Sequence, residues 1–460
     1  MGLTDDRPNS SISTFDKENS NTVKSAPFKV SDLSEDKAMG KGGENPVQSH
    51  SKPSLLAGLP DAELRKHAEE RGLKSDGSRD QLLKVLDPYD RAILANTPKC
   101  LPLQPPPFTL KDIRDAIPAE CFKRDMGVSF MHVLSDLAIA SALFFFSTYI
   151  DSVPLPTWAR YALWAVYWFC QGTVLTGVWV LAHECGHQAF SESEFVNNTV
   201  GWVLHSFLLV PYHSWRISHA KHHNNTGSCE NDEVFNPPTR SDMTSELLDT
   251  TPISNAFFMI VMLTVGWMPG YLLFNATGPK KYRGKNASHF SPNSAIFAEK
   301  DKTDIVVSVV GFLLALSGFG YLGYTFGWLN LVKYYVIPYM ITNLYLVLIT
   351  FLQHTDTYIP HFSGDEWNWL RGALCTVDRS FGTIIDHTIH HIADTHVCHH
   401  LFSKMPFYNA QRATLAIKQK IGKYYLKDDT PIPLAAWRSY NLCKFVEDDE
   451  KVVFYKYKTQ

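Results

Sequence analysis

Several kinds of signal are missing from this chain of 460 residues, and each absence removes a class of protein. The eight cysteines lie far apart and form no CxxC pair, and no secretory signal opens the sequence, so a disulfide framework is excluded and reduced thiols facing cytosol or lipid are expected. A formal charge of -3 leaves no basic excess, so no nucleic-acid partner is expected. There is no His-Pro-Gly-Gly haem segment and no GxGxxG turn between a strand and a helix. Electrons for any redox step must then come from outside.

Long apolar runs are present, although a mean hydropathy of -0.14 hides them. Four are long enough to span a bilayer core of about 20 residues, at 129–150, 160–182, 304–327 and 329–353. Two more, 198–214 and 254–276, are ambiguous. Aromatic residues make up 13% of the chain, which suits several water–lipid boundaries. Residues 1–54 are rich in Ser, Asn, Lys, Asp and Gly and read as a disordered leader. Residues 55–90 read as two short helices, the second opened by a capping box at Ser78-Arg-Asp-Gln81. They look somewhat like the SAP helix-loop-helix module, with a docking or regulatory role preferred over DNA binding. Residues 108–460 read as one membrane domain.

Beside the apolar runs stand three histidine clusters: His183-Glu-Cys-Gly-His187, His219-Ala-Lys-His222-His223 and His396-Val-Cys-His399-His400. On a helix, residues three or four apart share a face, so each cluster presents two or three imidazoles together. A lone histidine on an apolar face is more often a packed core residue, but eight at this spacing exceed the needs of one ion. Two imidazole-bound transition ions are the natural count, with iron favoured. If the eight meet at one site, the boxes emerge on one membrane face and an even number of crossings separates them. The 254–276 run is then the one that stays in the interface, because Lys280, Lys281, Arg283 and Lys285 follow it and positive loops stay cytosolic. Four spans remain, with the boxes and both termini cytosolic.

The order HxxxH, HxxHH, HxxHH resembles the membrane fatty-acid desaturase superfamily. The text around it, Trp179-Val-Leu-Ala-His-Glu-Cys-Gly-His187, Leu209-Val-Pro-Tyr-His-Ser-Trp-Arg-Ile-Ser-His219, Phe351-Leu-Gln-His-Thr-Asp356 and Asp394-Thr-His-Val-Cys-His-His-Leu-Phe402, is similar to the acyl-lipid Δ12 (oleate) desaturases of fungi, plants and algae. The resemblance runs from about Phe108 onward. It implies an all-α integral membrane protein of about four transmembrane helices plus interfacial helices, whose cytosolic helical cap holds a histidine-bound di-iron centre. It further implies two Fe ions, O2 as co-substrate, and electrons from cytochrome b5 and its reductase. The implied substrate is a phospholipid-bound oleoyl chain, with phosphatidylcholine the preferred carrier, in the endoplasmic reticulum membrane. The basic face with Lys280, Lys281 and Arg283 would dock the acidic electron donor.

The superfamily carries an extra ligand where His354 stands, so the expected metal set is His183, His187, His219, His222, His223, His354, His396, His399 and His400. Ligating imidazoles usually donate their other N–H to a carboxylate or carbonyl, which makes Asp232, Asp386, His391 and Asp394 candidates for orienting them. Close rivals share this chemistry: ω-3 or bifunctional desaturases, hydroxylases, epoxygenases and conjugases. Box one reads HECGHQ, whereas plant ω-3 types usually carry HDCGH, and Phe407-Tyr-Asn409 departs from the common His-Tyr-His ending without removing a ligand. A rival of another class is a histidine-rich metal-handling membrane protein, but transporters place ligands at the membrane midplane, and here the boxes fall beyond the span ends.

Overall fold

The computed structural model describes residues 60–70, 74–94, 101–244 and 251–457. The leader expected over 1–54 lies outside the described residues. The chain divides into Met1–Ser51 and Lys52–Gln460, and every described residue belongs to the second unit. Helices Asp61–Glu70 and Arg79–Leu94 form the short pair expected there, packed through Leu64, Ala68, Leu82 and Leu86. The capping box is present: the Ser78 N–H donates to Gln81 Oε1 at 2.8 Å, and the Gln81 N–H faces Ser78 Oγ at 3.4 Å.

Among the described residues, five helices are long and apolar enough to cross a membrane: Met126–Ser147, Thr157–Gly186, Pro252–Tyr271, Glu299–Phe326 and Trp328–His354. The member beyond the expected four is Pro252–Tyr271, which carries an internal break where Met268 leaves helical geometry (φ −123°, ψ 116°) ahead of Pro269. The other ambiguous run is only partly helical, over Glu194–Phe207, and 14 residues of helix are too short to span. The letters Gly318-Phe-Gly320-Tyr-Leu-Gly323 do match GxGxxG spacing, but they lie inside the Lys302–Phe326 helix, with no strand before them and no turn for a phosphate.

Local sequence sets the ends of these helices. Asp125 caps Met126–Ser147 by accepting the N–H groups of Gly127 and Val128 at 2.8 and 3.1 Å. Gly327, at φ 94°, makes the tight turn between Phe326 and Trp328 that reverses the chain. Thr157–Gly186 packs along Ile337–His354, and Gly172 permits the approach: a Cβ there would lie 2.6 Å from Ile341 and 2.7 Å from the Pro338 carbonyl oxygen. The Thr342 hydroxyl donates to the Gly172 carbonyl at 3.1 Å across the same seam.

At one end of these helices the residues after His354 fold, together with 101–122, into a cap. Its core joins Ile113, Tyr358, Val377, Val397, Leu401 and Ile417. A fully buried Arg379 ties it to the last long helix by pairing with Asp356 (2.8 Å) and Asp428, and Arg438 pairs with the same two carboxylates at 2.5 and 2.6 Å. Two cations and two anions satisfy one another, which lets the ions stay buried. A two-stranded antiparallel ladder, His361–Phe362 with Val452–Val453, pins the end of the chain to this cap.

Candidate metal centre

The nine expected ligands come from elements that meet beneath the cap. His183 stands in the last turn of Thr157–Gly186, and His187 caps that helix. His219, His222 and His223 ride on Tyr212–Asn225, His354 ends the last long helix, and His396, His399 and His400 lie on the short helix His396–Leu401. Their nitrogens fall into two groups. His183, His187, His219, His223 and His399 gather as five, and His222, His354 and His400 as three, each group within 4.8 Å. His396 joins the second by its Nε2, 3.2 Å from that of His354. In the first group successive Nε2 atoms stand 3.0 to 3.2 Å apart, from His187 through His183, His219 and His223 to His399. The His223 and His400 rings stack at 4.1 Å and join the two groups.

Hydrogen bonds at the far side of each ring decide which nitrogen is free. His222 Nδ1 donates to Asp232 Oδ1 at 2.6 Å, and Asp232 is itself held by the N–H groups of Gly227 and Val234 at 3.0 and 3.1 Å. His396 Nδ1 donates to the Ile392 carbonyl at 3.0 Å. Thr226 spends its hydroxyl proton on the His222 carbonyl, so it accepts from His400 Nδ1 at 3.2 Å. That leaves His400 Nε2 buried with no hydrogen-bond partner, its lone pair aimed into the second group. Trp215 and Trp179 stack on His219 and His183 at 4.5 and 5.5 Å and hold those rings from behind.

Burial keeps six of these imidazoles neutral. It pushes His187 and His396 down to about 3, and it holds His219, His223, His399 and His400 well below the usual histidine range. Buried imidazoles with convergent lone pairs fit two transition ions, five donors around one and four around the other. A buried orphan such as His400 Nε2 costs free energy unless something accepts its lone pair. The donor set and this orphan together support metal at both positions.

Of the residues expected to orient the ligands, only Asp232 bonds to a box imidazole. His391 turns away, 3.1 Å from Asp394 and 2.9 Å from Gln411, and Asp386 accepts from Ser380 and from the Phe381 N–H at 2.8 Å. The left-handed backbone at His390 and His391 (φ 57° and 59°) swings both out of the helical register that sequence spacing assumes. His390 instead meets Asp136 of Met126–Ser147 at 2.7 Å. Two contributors escape a reading of the sequence. Glu184, inside box one, places Oε1 3.3 Å from His183 Nδ1 while its Oε2 accepts the Phe407 N–H, and Thr226 follows box two by one helical turn. The i+3 spacing of Thr226 from His223 is the one signal that could find it.

An apolar cavity of about 280 Å³ reaches His219. Trp179, Trp215, Trp267, Tyr271 and Val347 wall it, a lining that suits a hydrocarbon chain. On the far side of the Tyr271 ring, its hydroxyl lies 3.1 Å from Ser218 Oγ, which His289 Nε2 approaches at 2.9 Å.

A fold of membrane-length helices capped by a buried polyhistidine centre with an apolar cavity beside it defines an integral membrane metalloenzyme class acting on hydrocarbon chains. Comparison with known proteins makes this specific: the fatty acid desaturase family model matches residues 157–431, and the chain belongs to that family. It is 50% identical over 370 residues to the Delta(12) fatty acid desaturase of Mortierella isabellina, covering 77% of this chain and 92% of the relative. The Delta(12)-fatty-acid desaturase of Arabidopsis thaliana is 45% identical over 359 residues, covering 77% and 92%. A Delta(12) acyl-lipid conjugase (11E,13E-forming) of Momordica charantia is 45% identical over 353 residues, covering 75% and 86%.

Proposed function

We propose that this chain is an oxygen-dependent acyl-lipid desaturase that inserts a cis double bond at Δ12 of oleoyl chains to give linoleoyl chains. The observation that carries the reading is the apolar cavity ending at His219, beside nine converged imidazoles, in a chain half identical to a Delta(12) fatty acid desaturase. Two Fe ions held by the five-imidazole and four-imidazole groups would supply O2 activation, with O2 reduced to water as two hydrogens leave adjacent methylenes. The protein's own part is to bury the imidazoles, to fix tautomers through Asp232, Thr226 and the Ile392 carbonyl, and to keep the cavity dry. Cytochrome b5 and its reductase are the proposed donors, and phosphatidylcholine the proposed carrier of the acyl chain.

Topology supports the same reading. Boxes two and three meet at one site, so an even number of crossings separates them, and Lys302–Phe326 and Ile337–His354, joined through the turn at Gly327, are the two that cross. Pro252–Tyr271, broken at Met268, is then the helix that stays in the interface, leaving four spans with boxes and termini cytosolic in the endoplasmic reticulum membrane. The conjugase relative supports a second outcome of the same chemistry, a conjugated diene. Expression in a host that makes oleate but no linoleate separates them: linoleate in the lipid extract is expected, a conjugated product would move the assignment to a conjugase, and an unchanged profile with metal-loaded protein would overturn both.

A further inference from the structure

Next to the apolar cavity lies a second one of about 540 Å³ with different walls. The two share Phe235, Ala276 and Thr277, so a single molecule could occupy both. Lys280, Arg283, Lys285 and Lys444 line the second cavity, and no carboxylate does among the described residues. Lys280 and Arg283 are held from outside it by one acid, Asp242, at 2.7 and 2.8 Å. Among the described residues Lys285 has no ion pair, and Lys444 contacts only neutral Asn255, at 3.2 Å, and the Tyr440 ring. Among the described residues Asp242 pairs with two of these four cations and Asp448 also faces Lys280, so Lys285 and Lys444 are the cations left to the cavity. A second observation is independent of charge. Asn275, also in the wall, is 8% exposed, and its amide oxygen and amide nitrogen are both buried without a hydrogen-bond partner among the described residues. An orphaned amide of this kind is costly unless a ligand completes it.

The mouth also points to lipid. Phe274 lines the cavity and is 66% exposed, and the preceding helix presents Ile253, Phe257 and Phe258 outward. Exposed apolar side chains beside lysines mark a segment lying at a membrane surface.

We propose that the second cavity binds the phosphate of a glycerophospholipid whose acyl chain enters the adjoining apolar cavity. This rests on the acyl-lipid reading and adds the headgroup site to it. The phosphate oxygens take charge-assisted hydrogen bonds from Lys285 and Lys444 and a further one from the Asn275 amide nitrogen, while the shared wall guides the chain toward His219.

The test measures binding by the purified full chain in detergent, with dioctanoylphosphatidylcholine, dioctanoylglycerol and inorganic phosphate as probes. The phospholipid should bind about tenfold more tightly than the diacylglycerol. Lys285→Glu with Lys444→Glu should remove that preference while leaving diacylglycerol affinity unchanged, which also shows that the variant is folded. Lys285 is exposed, so Lys285→Glu alone should lose part of the preference if the double variant does not fold. Equal binding of the two lipids, or a preference that survives these substitutions, would overturn the proposal. Inorganic phosphate binding as tightly as the phospholipid would overturn the lipid source in favour of a free anion. No arm depends on the double-bond position, so a wild-type product other than linoleate would revise the proposed function and leave this result standing.

Discussion

Two pairs of long helices have similar apolar sequences and different fates. In Thr157–Gly186 and Trp328–His354, 72% and 67% of the most apolar window is buried inside the protein, whereas in Met126–Ser147 and Glu299–Phe326 the shares are 22% and 17%. The inner pair ends in proposed ligands, His183 with His187 and His354, and is held at close range by Gly172. The outer pair shows Phe144, Phe145, Phe146, Leu313 and Leu314 to its surroundings. Hydropathy therefore finds both pairs and cannot rank them. In lipid, apolar side chains gain little by touching one another, so the inner seam is held by close backbone approach and a few hydrogen bonds.

The largest effect should come from the ligands at the tip of the inner pair. His183→Ala, His354→Ala or His399→Ala should abolish desaturation and lower bound metal while the protein still inserts in membranes. Metal analysis of the purified variants checks this, and retained activity in two of them would break the link between inner helices and chemistry. Next in size is a carboxylate behind the centre. Asp232→Asn keeps the shape but weakens the grip on His222 Nδ1, and metal affinity should fall by about 10- to 100-fold. A chelator titration measures it, and an unchanged affinity would reduce Asp232 to a packing residue.

The smallest effect is the sharpest comparison, because one substitution is made on both kinds of helix. Gly172→Ala drives a methyl into Ile341 and the Pro338 carbonyl and should cost about 1–3 kcal/mol. Gly318→Ala, on the outer Lys302–Phe326 helix, meets nothing within 4 Å and should be neutral or stabilising by roughly 0.5–1 kcal/mol. Thermal unfolding in detergent gives both values. Equal shifts would mean that the inner seam is no tighter than the lipid-facing surface.

Much of the site is legible from spacing. HxxxH and HxxHH place imidazoles on one helix face whatever the tertiary context, and all eight box histidines and His354 converge as that rule implies. Asp386, His391 and Asp394, candidates because ligating imidazoles need a partner for their other N–H, have other contacts: Asp386 accepts from Ser380, and His391 meets Asp394 and Gln411 beside the left-handed turn at His390 and His391. The sequence also leaves the 254–276 run ambiguous as a span. Pro252–Tyr271 meets the length and composition of a span, and only the convergence of the boxes separates it from the other four.

The sequence by itself determined that the chain is helical, membrane-embedded and armed with nine clustered imidazoles, because those properties follow from composition and from periodicities a few residues long. The tertiary structure alone decided the five-and-four division of the ligands, the free nitrogen of His400 and the inner or outer place of each helix. Each of these rests on contacts between residues far apart in the chain, such as His399 with His223 across 176 positions, and no local pattern records a contact at that separation.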